Sequence, residues 1–270
     1  NSNDYNWTDV VMSNLGEWHT KAISLHYYTV PTGDWNKKGS ATEFSDEEYY
    51  ETISKTLYMD ELIKRHSEIM SRRDPEGKIG LIVDEWGCWY DVEEGTNPGF
   101  LYQQNTMRDA IVNIFNNHSD KVVMANLAQA VNVLQSLILT EGEKMVKTPT
   151  YHVFDLFKTH QGGELCYSYA NNCQAGGKIP MISQSASVKD GVLTVTIANC
   201  SIDDDAHICC DIAGENYQNI ECRILDNEVR DYNDFDNCDK VAPKEYSAKM
   251  TEKGFEIDLP KCSVVVVTMR

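Results

Sequence analysis

Three short apolar segments in the first half of the chain constrain its fold more than any other feature. They cover residues 22–28 (AISLHYY), 79–85 (IGLIVDE) and 121–126 (KVVMAN). None of them alternates between apolar and polar residues, as expected for strands that are covered on both faces in a parallel sheet. Helical patterns lie between them. We therefore predict a succession of strand–helix units, which is typical of α/β folds.

The intervening segments carry helix signals. Ser45 followed by Glu48 fits a capping box that opens a helix. Five residues then recur at helical spacing before the second strand: Met59, Leu62, Ile63, His66 and Met70. We predict a second helix over residues 100–116, and the spacing of the apolar residues over 131–138 predicts a third after the last strand.

The pattern changes near residue 160. From there to the end, short alternating segments follow turn residues, for example after Asp190–Gly191 and after Lys253–Gly254. Strands at this spacing predict an antiparallel β-sandwich. We therefore expect two domains, an α/β portion over residues 1–150 and an all-β portion over residues 151–270.

Composition narrows the classes of partner. The chain has 270 residues, of which 41% are hydrophobic, enough for a sizeable core. Its formal net charge of −18 argues against binding to nucleic acid or to an anionic membrane surface, because the long-range field repels both. No segment approaches the roughly 18 consecutive apolar residues of a membrane span. We expect a neutral or cationic partner.

The nine cysteines form an odd set without the spacing of a zinc site. We interpret them as free thiols, which favours a reducing compartment and hence the cytoplasm. Three sequons, at Asn6, Asn117 and Asn199, leave secretion open. No metal site and no cofactor is predicted. The chain opens with Asn1, which suggests that other polypeptide precedes it in the native protein.

Polar and aromatic residues lie at the end of each predicted parallel strand or just beyond it. The first strand ends in His26 and Tyr28. The second ends in Asp84 and Glu85, with Trp89 just beyond, and the third ends in Asn126, with Gln129 a few residues on. Ligands bind at the carboxyl ends of parallel strands. Carboxylate, imidazole, phenol and amide groups can bond sugar hydroxyls, while indole rings pack on the C–H faces of the sugar. The set favours a carbohydrate site.

The adjacent carboxylates of Asp84 and Glu85 pose a geometric question. On a regular strand, neighbouring side chains point to opposite faces. We therefore expect that only one of the two enters the site while the other supports it. Each residue alone has an ordinary structural explanation, such as a salt bridge or a buried histidine. Their joint occurrence at three successive strand ends favours the functional interpretation.

Long segments of the sequence resemble a known family. The segments are "SLHYYTVP", "GLIVDEWGCWYDVEEGTNPGFLYQQNTMRDA", "MANLAQAVNVLQSLILTEGEKM" and "TPTYHVFDLFKTHQ". They are similar to the family 51 glycoside hydrolases, the intracellular-type α-L-arabinofuranosidases, over nearly the whole chain. "DYNDFDNCDKVAP" and "LPKCSVVVVTM" resemble the C-terminal β-sandwich of that family. The resemblance implies a partial (β/α)8 TIM barrel, with the three strands as strands six to eight, followed by an antiparallel β-sandwich.

The resemblance also implies roles for the strand-end residues. Glu85 matches the catalytic nucleophile of a retaining mechanism. Four residues match substrate-binding positions: His26, Tyr28, Trp89 and Gln129. Asp84 and Asn126 would support them. The implied substrates are arabinose-containing oligosaccharides and polysaccharides, with no metal or organic cofactor.

One expected part is missing from the sequence. The acid/base glutamate of the family lies at the end of the fourth barrel strand, and no matching segment precedes residue 22. Three strand–helix units also fall short of the eight in a complete barrel. We therefore expect an upstream segment or a companion chain to supply strands one to five and the acid/base glutamate, and the resemblance implies a homo-oligomer. Two alternatives stay open: endoglucanase or β-xylosidase activity of the same family, or a catalytically silent carbohydrate-binding fragment.

Overall fold

The computed structural model of the protein describes residues 2–15, 20–91 and 106–270. Within these residues the chain forms helices in its first part and strands throughout. The helices are α1 (Tyr5–Asn14), α2 (Asp46–Arg73), α3 (Thr106–Asn117) and α4 (Pro149–Phe157), with a short 3₁₀ helix at Lys158–His160. Among the described residues, no helix is both long enough and apolar enough to cross a membrane.

Three parallel strands form the sheet of the first part. They are β1 (Ala22–Thr29), β2 (Gly80–Cys88) and β3 (Val122–Leu127), hydrogen-bonded in the order β1-β2-β3. The three strands predicted from the apolar segments are confirmed. Leu25, Val83 and Trp86 are buried and share one apolar core with residues of the helices. Because the strands pair in parallel, their carboxyl ends lie at the same edge of the sheet.

Helix α2 begins where the sequence predicts. The Ser45 hydroxyl accepts the amide of Glu48 at 3.2 Å, and the Glu48 carboxylate accepts the amide of Ser45 at 2.7 Å, which completes the capping box. The five residues predicted on its buried face are all buried: Met59, Leu62, Ile63, His66 and Met70. The predicted second helix is observed from residue 106, and residues 100–105 lie outside the described part of the chain.

The helix predicted from the apolar spacing over 131–138 is wrong. This segment is a loop that leads into a hairpin of β4 (Ile138–Glu141) and β5 (Lys144–Lys147). Asn132 has φ +54°, and its side chain donates to the carbonyl of Thr140 at 3.1 Å and accepts the amide of Thr140 at 2.8 Å. A side chain that bonds the backbone in this way competes with a helix.

The second part is a β-sandwich, as predicted. Its strands are β6 (Glu164–Cys166), β7 (Gln174–Ala175), β8 (Ile179–Pro180), β9 (Ile182–Lys189), β10 (Val192–Asn199), β11 (Ala206–Asp211), β12 (Ile220–Asp226), β13 (Lys244–Tyr246), β14 (Lys249–Met250), β15 (Gly254–Leu259) and β16 (Ser263–Met269). One antiparallel sheet has the order β13-β12-β16-β10-β9-β6, and a second has the order β11-β15-β14. The pair β7-β8 forms a separate hairpin.

A polar network joins helix α3 to the larger sheet of the sandwich. Asn113 Oδ1 accepts the hydroxyls of Ser185 at 2.7 Å and Thr196 at 2.8 Å. His160 lies beside Ser187 at 2.7 Å and Thr196 at 3.0 Å. Burial lowers the pKa of His160 to about 4, because the charged imidazolium is poorly solvated there. The network explains why polar residues of β9 and β10 are buried beneath α3.

The beginning of helix α2 is also held by the sandwich. The Tyr49 hydroxyl donates to the carbonyl of Cys200 at 3.0 Å, and the Tyr50 hydroxyl donates to Asp203 at 2.6 Å. Arg230 forms an ion pair with Asp46 at 2.7 Å. These contacts fix the sandwich to the first turns of α2. All nine cysteines are free thiols.

Candidate active site

The predicted site residues lie at the carboxyl edge of the parallel sheet. His26 and Tyr28 belong to the end of β1, and Asp84 and Glu85 to β2. His26 stands opposite Glu85 in the register of the two strands. Parallel pairing therefore places an imidazole directly beside the predicted nucleophile.

A β-bulge interrupts the pairing at this point. Leu25 pairs with Val83, but the next residue of β1, His26, pairs with Glu85, so Asp84 is the extra residue. The ladder between β2 and β3 shifts at the same place. Bulges disturb the alternation of side chains and re-aim them, and they often lie next to active sites.

The bulge overturns one expectation from the sequence. Asp84 and Glu85 do not separate to opposite faces, because both reach the same imidazole. His26 Nε2 lies 3.7 Å from Asp84 Oδ2, and His26 Nδ1 lies 3.8 Å from Glu85 Oε2. These distances are longer than a direct hydrogen bond, so the contacts are electrostatic when the imidazole is protonated. Both carboxylates therefore belong to one cluster.

Tyr28 makes a direct hydrogen bond to the predicted nucleophile. Its hydroxyl donates to Glu85 Oε2 at 2.9 Å. His26 approaches the same oxygen, and among the described residues no hydrogen bond goes to Oε1. The Glu85 side chain is 46% exposed. One carboxylate oxygen of this partly exposed side chain is thus held by Tyr28, and the other accepts no hydrogen bond from the described residues.

Aromatic rings continue outward from this carboxylate. The rings of Tyr28 and Trp89 meet edge to face with their centroids 5.1 Å apart. Trp35 meets Trp89 in the same way at 5.5 Å and is 55% exposed. Sequence reasoning missed Trp35, although its place in a short loop directly after β1 was a usable signal. The three rings form a row that offers apolar surface beside polar groups.

Asn126 and Gln129 occupy different positions. The Asn126 amide donates to Asp84 Oδ1 at 3.3 Å, so it contacts the supporting carboxylate. Gln129 is exposed in the loop after β3, and among the described residues its side chain makes no hydrogen bond to the cluster. The structure therefore brings together six of the seven predicted residues and leaves Gln129 beside them.

Sequence reasoning also missed Gln135. Its side chain is 2% exposed, and its Oε1 accepts the backbone amide of Cys88 at 2.7 Å. Cys88 lies at the end of β2, directly before Trp89. No signal in the sequence separates Gln135 from an ordinary polar residue, because the contact depends on how the loop after β3 folds back.

The side chains of the cluster are partly exposed. A separate cavity of about 280 Å³ is lined by Pro31, Tyr49 and Tyr90 among others, but by none of the seven predicted site residues. Among the described residues, no group of three or more His, Cys, Asp and Glu side chains is arranged to hold a metal ion. The candidate site is thus a partly exposed surface at the carboxyl ends of the strands.

Comparison with known proteins shows similarity to one family. The family described as "Alpha-L-arabinofuranosidase C-terminal domain" matches residues 84–263, which is more than half of the chain. A Bacteroides ovatus protein named intracellular exo-alpha-L-arabinofuranosidase is 39% identical over 99% of this chain and 54% of its own length. The chain thus spans about half the length of this relative.

Solved structures show the same fold. The crystal structure of the GH51 arabinofuranosidase from Xanthomonas axonopodis pv. citri is 39% identical, with a TM-score of 0.87 over 99% of this chain and 56% of that one. An alpha-L-arabinofuranosidase from Thermotoga maritima, solved as an arabinose complex, has a TM-score of 0.81 at 22% identity, over 99% of this chain and 56% of that one. The chain belongs to the α-L-arabinofuranosidase C-terminal domain family and corresponds to the C-terminal part of a family 51 arabinofuranosidase.

Proposed function

We propose that this chain is the C-terminal part of a retaining glycoside hydrolase that releases terminal α-L-arabinofuranosyl residues from oligosaccharides or polysaccharides, with Glu85 as its nucleophile. The hydrogen bond from Tyr28 to Glu85 Oε2 carries the proposal, because it orients an accessible carboxylate at the end of a parallel strand. The name and 39% identity of the Bacteroides ovatus relative support the substrate class.

The chemistry follows from the two oxygens of Glu85. Tyr28 donates a hydrogen bond to Oε2 and His26 lies near the same oxygen, so Oε1 is the atom available to attack the anomeric carbon. The glycosidic oxygen leaves as it takes a proton from an acid, and a glycosyl ester to Glu85 forms. Water then attacks the anomeric carbon and gives its proton to the same group, now acting as a base. Retention results from the two successive displacements.

The surrounding residues would bind the sugar. Trp89 would form a wall against the C–H face of the furanose ring, supported by its contact with Tyr28. His26 and Gln129 would bond the sugar hydroxyls. Asp84, itself bonded by Asn126, would hold the imidazole of His26 from the other side.

The acid/base group must come from polypeptide beyond the described residues. We propose that residues 1–150 form the last three strand–helix units of a (β/α)8 barrel and residues 151–270 the sandwich domain. Two observations support this. The described sheet has β1 and β3 at its two edges, and in a closed barrel each of them would pair with a further strand. Val123 and Met124 of β3 are 60% and 52% exposed, although both are apolar.

An upstream segment or a companion chain would then supply barrel strands one to five and the acid/base glutamate. The word intracellular in the relative's name supports a cytoplasmic location. The family resemblance supports a homo-oligomer. We call the chain together with this completing polypeptide the assembled enzyme.

Replacement of Glu85 tests the function. In the assembled enzyme, Glu85→Ala should lower kcat on an aryl α-L-arabinofuranoside by at least about 10⁴-fold, because the covalent step is lost. Azide should restore turnover of this variant and give the arabinosyl azide of inverted configuration, since it enters from the face that the carboxylate used. A 2-fluoro arabinofuranosyl inhibitor should label the wild-type peptide that contains Glu85.

Asp84→Asn is the matched control, because Asp84 is the neighbouring carboxylate beside the same imidazole. It should retain substantial activity and show no response to azide. An unchanged rate in Glu85→Ala, or inhibitor label on Asp84, would contradict the assignment. Absence of turnover in the wild-type assembled enzyme would contradict the proposed activity itself.

A further inference from the structure

We propose that Gln135 is a positioning residue of this site: its buried amide replaces strand β3 beside the end of β2 and so fixes the segment that carries Trp89. The inference rests on the proposed function for its kinetic consequence. The structural claim, that Gln135 fixes the end of β2, depends only on the strand geometry.

The pairing of β2 is asymmetric at its carboxyl end. On one side, the ladder with β1 continues to Cys88, which pairs with Thr29. On the other side, the ladder with β3 stops at the pair of Trp86 and Leu127. The last residues of β2 therefore extend beyond the end of β3. This is the stretch between the predicted nucleophile and Trp89.

The backbone directions identify which amide needs a partner there. The amide of Trp89 donates to the carbonyl of Thr29 at 2.9 Å and so points toward β1. Amides of consecutive strand residues point to opposite sides, so the amide of Cys88 points toward the side where β3 has ended. Gln135 Oε1 accepts it at 2.7 Å. The side chain thus supplies the acceptor that a strand would supply.

Gly87 makes this contact more important. Its φ of +148° lies outside the region that other residues readily adopt, so the chain departs from regular strand geometry just before Cys88. A segment beyond such a glycine depends on its flanking contacts for a fixed position. The Gln135 bond provides one on the side away from β1.

The burial of Gln135 indicates that its acceptor oxygen matters. Its Nε2 is buried and has no hydrogen-bond acceptor among the described residues. Burying an unpaired donor is unfavourable, and an apolar side chain of the same length would avoid that cost. The bond from the Cys88 amide is the interaction that an apolar side chain could not make.

The contact also ties two parts of the site together. Gln135 belongs to the loop after β3 that carries Gln129. This loop is closed on itself, because the amides of Leu137 and Ile138 both donate to the carbonyl of Ala130 at 3.1 and 3.0 Å. The bond to Cys88 therefore fixes the loop of one predicted sugar-binding residue to the strand of another, Trp89.

Two variants of Gln135 test the proposal. Gln135→Met keeps the length of the side chain and removes the acceptor. Gln135→Glu keeps an oxygen at the same position, and burial favours its neutral form. In the assembled enzyme, Gln135→Met should raise KM for an aryl α-L-arabinofuranoside about tenfold and change kcat by less than about threefold, because a displaced Trp89 weakens ground state and transition state alike. Gln135→Glu should restore KM to within about threefold of wild type.

Hydrogen exchange gives a readout that does not depend on activity. In this chain, Gln135→Met should speed exchange of the Cys88 amide at least about tenfold while the amides of α2 and the sandwich exchange as in wild type. Gln218→Met, an exposed glutamine in the sandwich, is the matched control and should change neither quantity.

The proposal would be overturned by unchanged Cys88 exchange in Gln135→Met, by an unchanged KM in that variant, or by equal defects in Gln135→Met and Gln135→Glu. Faster exchange throughout α2 and the sandwich would assign Gln135 a general structural role and would also overturn it. Absence of turnover in the wild type would instead refute the proposed function. The exchange experiment would still test the structural role of Gln135, because it does not depend on activity.

Discussion

The sandwich and the parallel sheet differ in how completely their apolar strand residues are buried. In the sandwich, Val265 of β16 is fully buried between its neighbours Ile197 and Ile224. In the parallel sheet, Val123 and Met124 of β3 leave more than half of their surface exposed. The described residues therefore complete the core of the sandwich but not the surroundings of the sheet. The candidate chemistry lies in the region whose sheet is incompletely covered.

The two regions also differ in regularity. The ladders of β10 with β9 and with β16 run without a shift in register. Both ladders of β2 shift near Asp84 and Glu85. Regular pairing maximises backbone hydrogen bonding, whereas a bulge re-aims side chains at the expense of the ladder. The irregular region is the one that gathers a phenol, an imidazole and two carboxylates.

Truncation of one valine in each region tests this difference in burial, and it should give the largest effect on the free energy of unfolding. In this chain, Val265→Ala should lower the free energy of unfolding by about 2–3 kcal/mol, through lost burial and the cavity left behind. Val123→Ala should change it by less than about 0.5 kcal/mol, because the side chain already faces solvent. Urea unfolding followed by circular dichroism measures both values.

The same two variants, Val123→Ala and Val265→Ala, also test the proposal of a completed barrel. In the assembled enzyme, Val123→Ala should cost about 1 kcal/mol or more, because added strands would bury it. An exposed Val123 with no added cost in the assembled enzyme would contradict the barrel arrangement. Val265→Ala serves as the reference, since its surroundings should be the same in both states.

The junction between the two regions should respond to pH. The pKa of His160 is about 4 in the folded chain and about 6.5 when unfolded, so the unfolded state binds more protons between these values. Stability is therefore full above about pH 6.5 and falls as the pH drops toward 4. The loss attributable to His160 should be about 2 kcal/mol between pH 7.5 and pH 5.

Comparison with His160→Gln isolates this contribution, since burial also lowers the pKa values of His66 and His152. The variant should flatten the pH dependence of urea unfolding by about 2 kcal/mol over that interval. Gln218→Met, which replaces an exposed residue of the sandwich that does not titrate, is the control and should leave it unchanged. Equal pH profiles for wild type and His160→Gln would contradict a neutral, buried imidazole at the junction.

Much of this architecture could be predicted from sequence because it depends on local patterns. Apolar segments without alternation located β1 to β3, and the capping box located the start of α2. The resemblance to a family pointed to Glu85 and Tyr28, which the structure places 2.9 Å apart. Their catalytic and binding roles stay predictions.

The features that sequence reasoning missed depend on contacts between distant residues. The bulge at Asp84 arises from the fit of β2 between two neighbours, and a single strand sequence does not encode it. The apolar spacing over 131–138 is typical of a helix, but the segment forms a loop in which the Asn132 side chain bonds the backbone of Thr140. Gln135 gains its significance only because β3 ends before β2 does.

Replacement of Trp35, beside the parallel sheet, should give the smallest effect. It should change substrate binding without changing stability. The Trp35 side chain is exposed and contacts the site through the ring of Trp89, so Trp35→Ala should leave the free energy of unfolding within about 0.5 kcal/mol of wild type. In the assembled enzyme it should raise KM about threefold for arabino-oligosaccharides and leave KM for a small aryl arabinofuranoside unchanged, because only a longer substrate would extend from Glu85 along the row of rings. Trp7→Ala, at an exposed tryptophan of α1 on another element, is the control and should change neither KM. An equal rise in KM for both substrates would place Trp35 in the arabinose pocket itself, and no rise for either would mean that the row of rings ends, functionally, at Trp89.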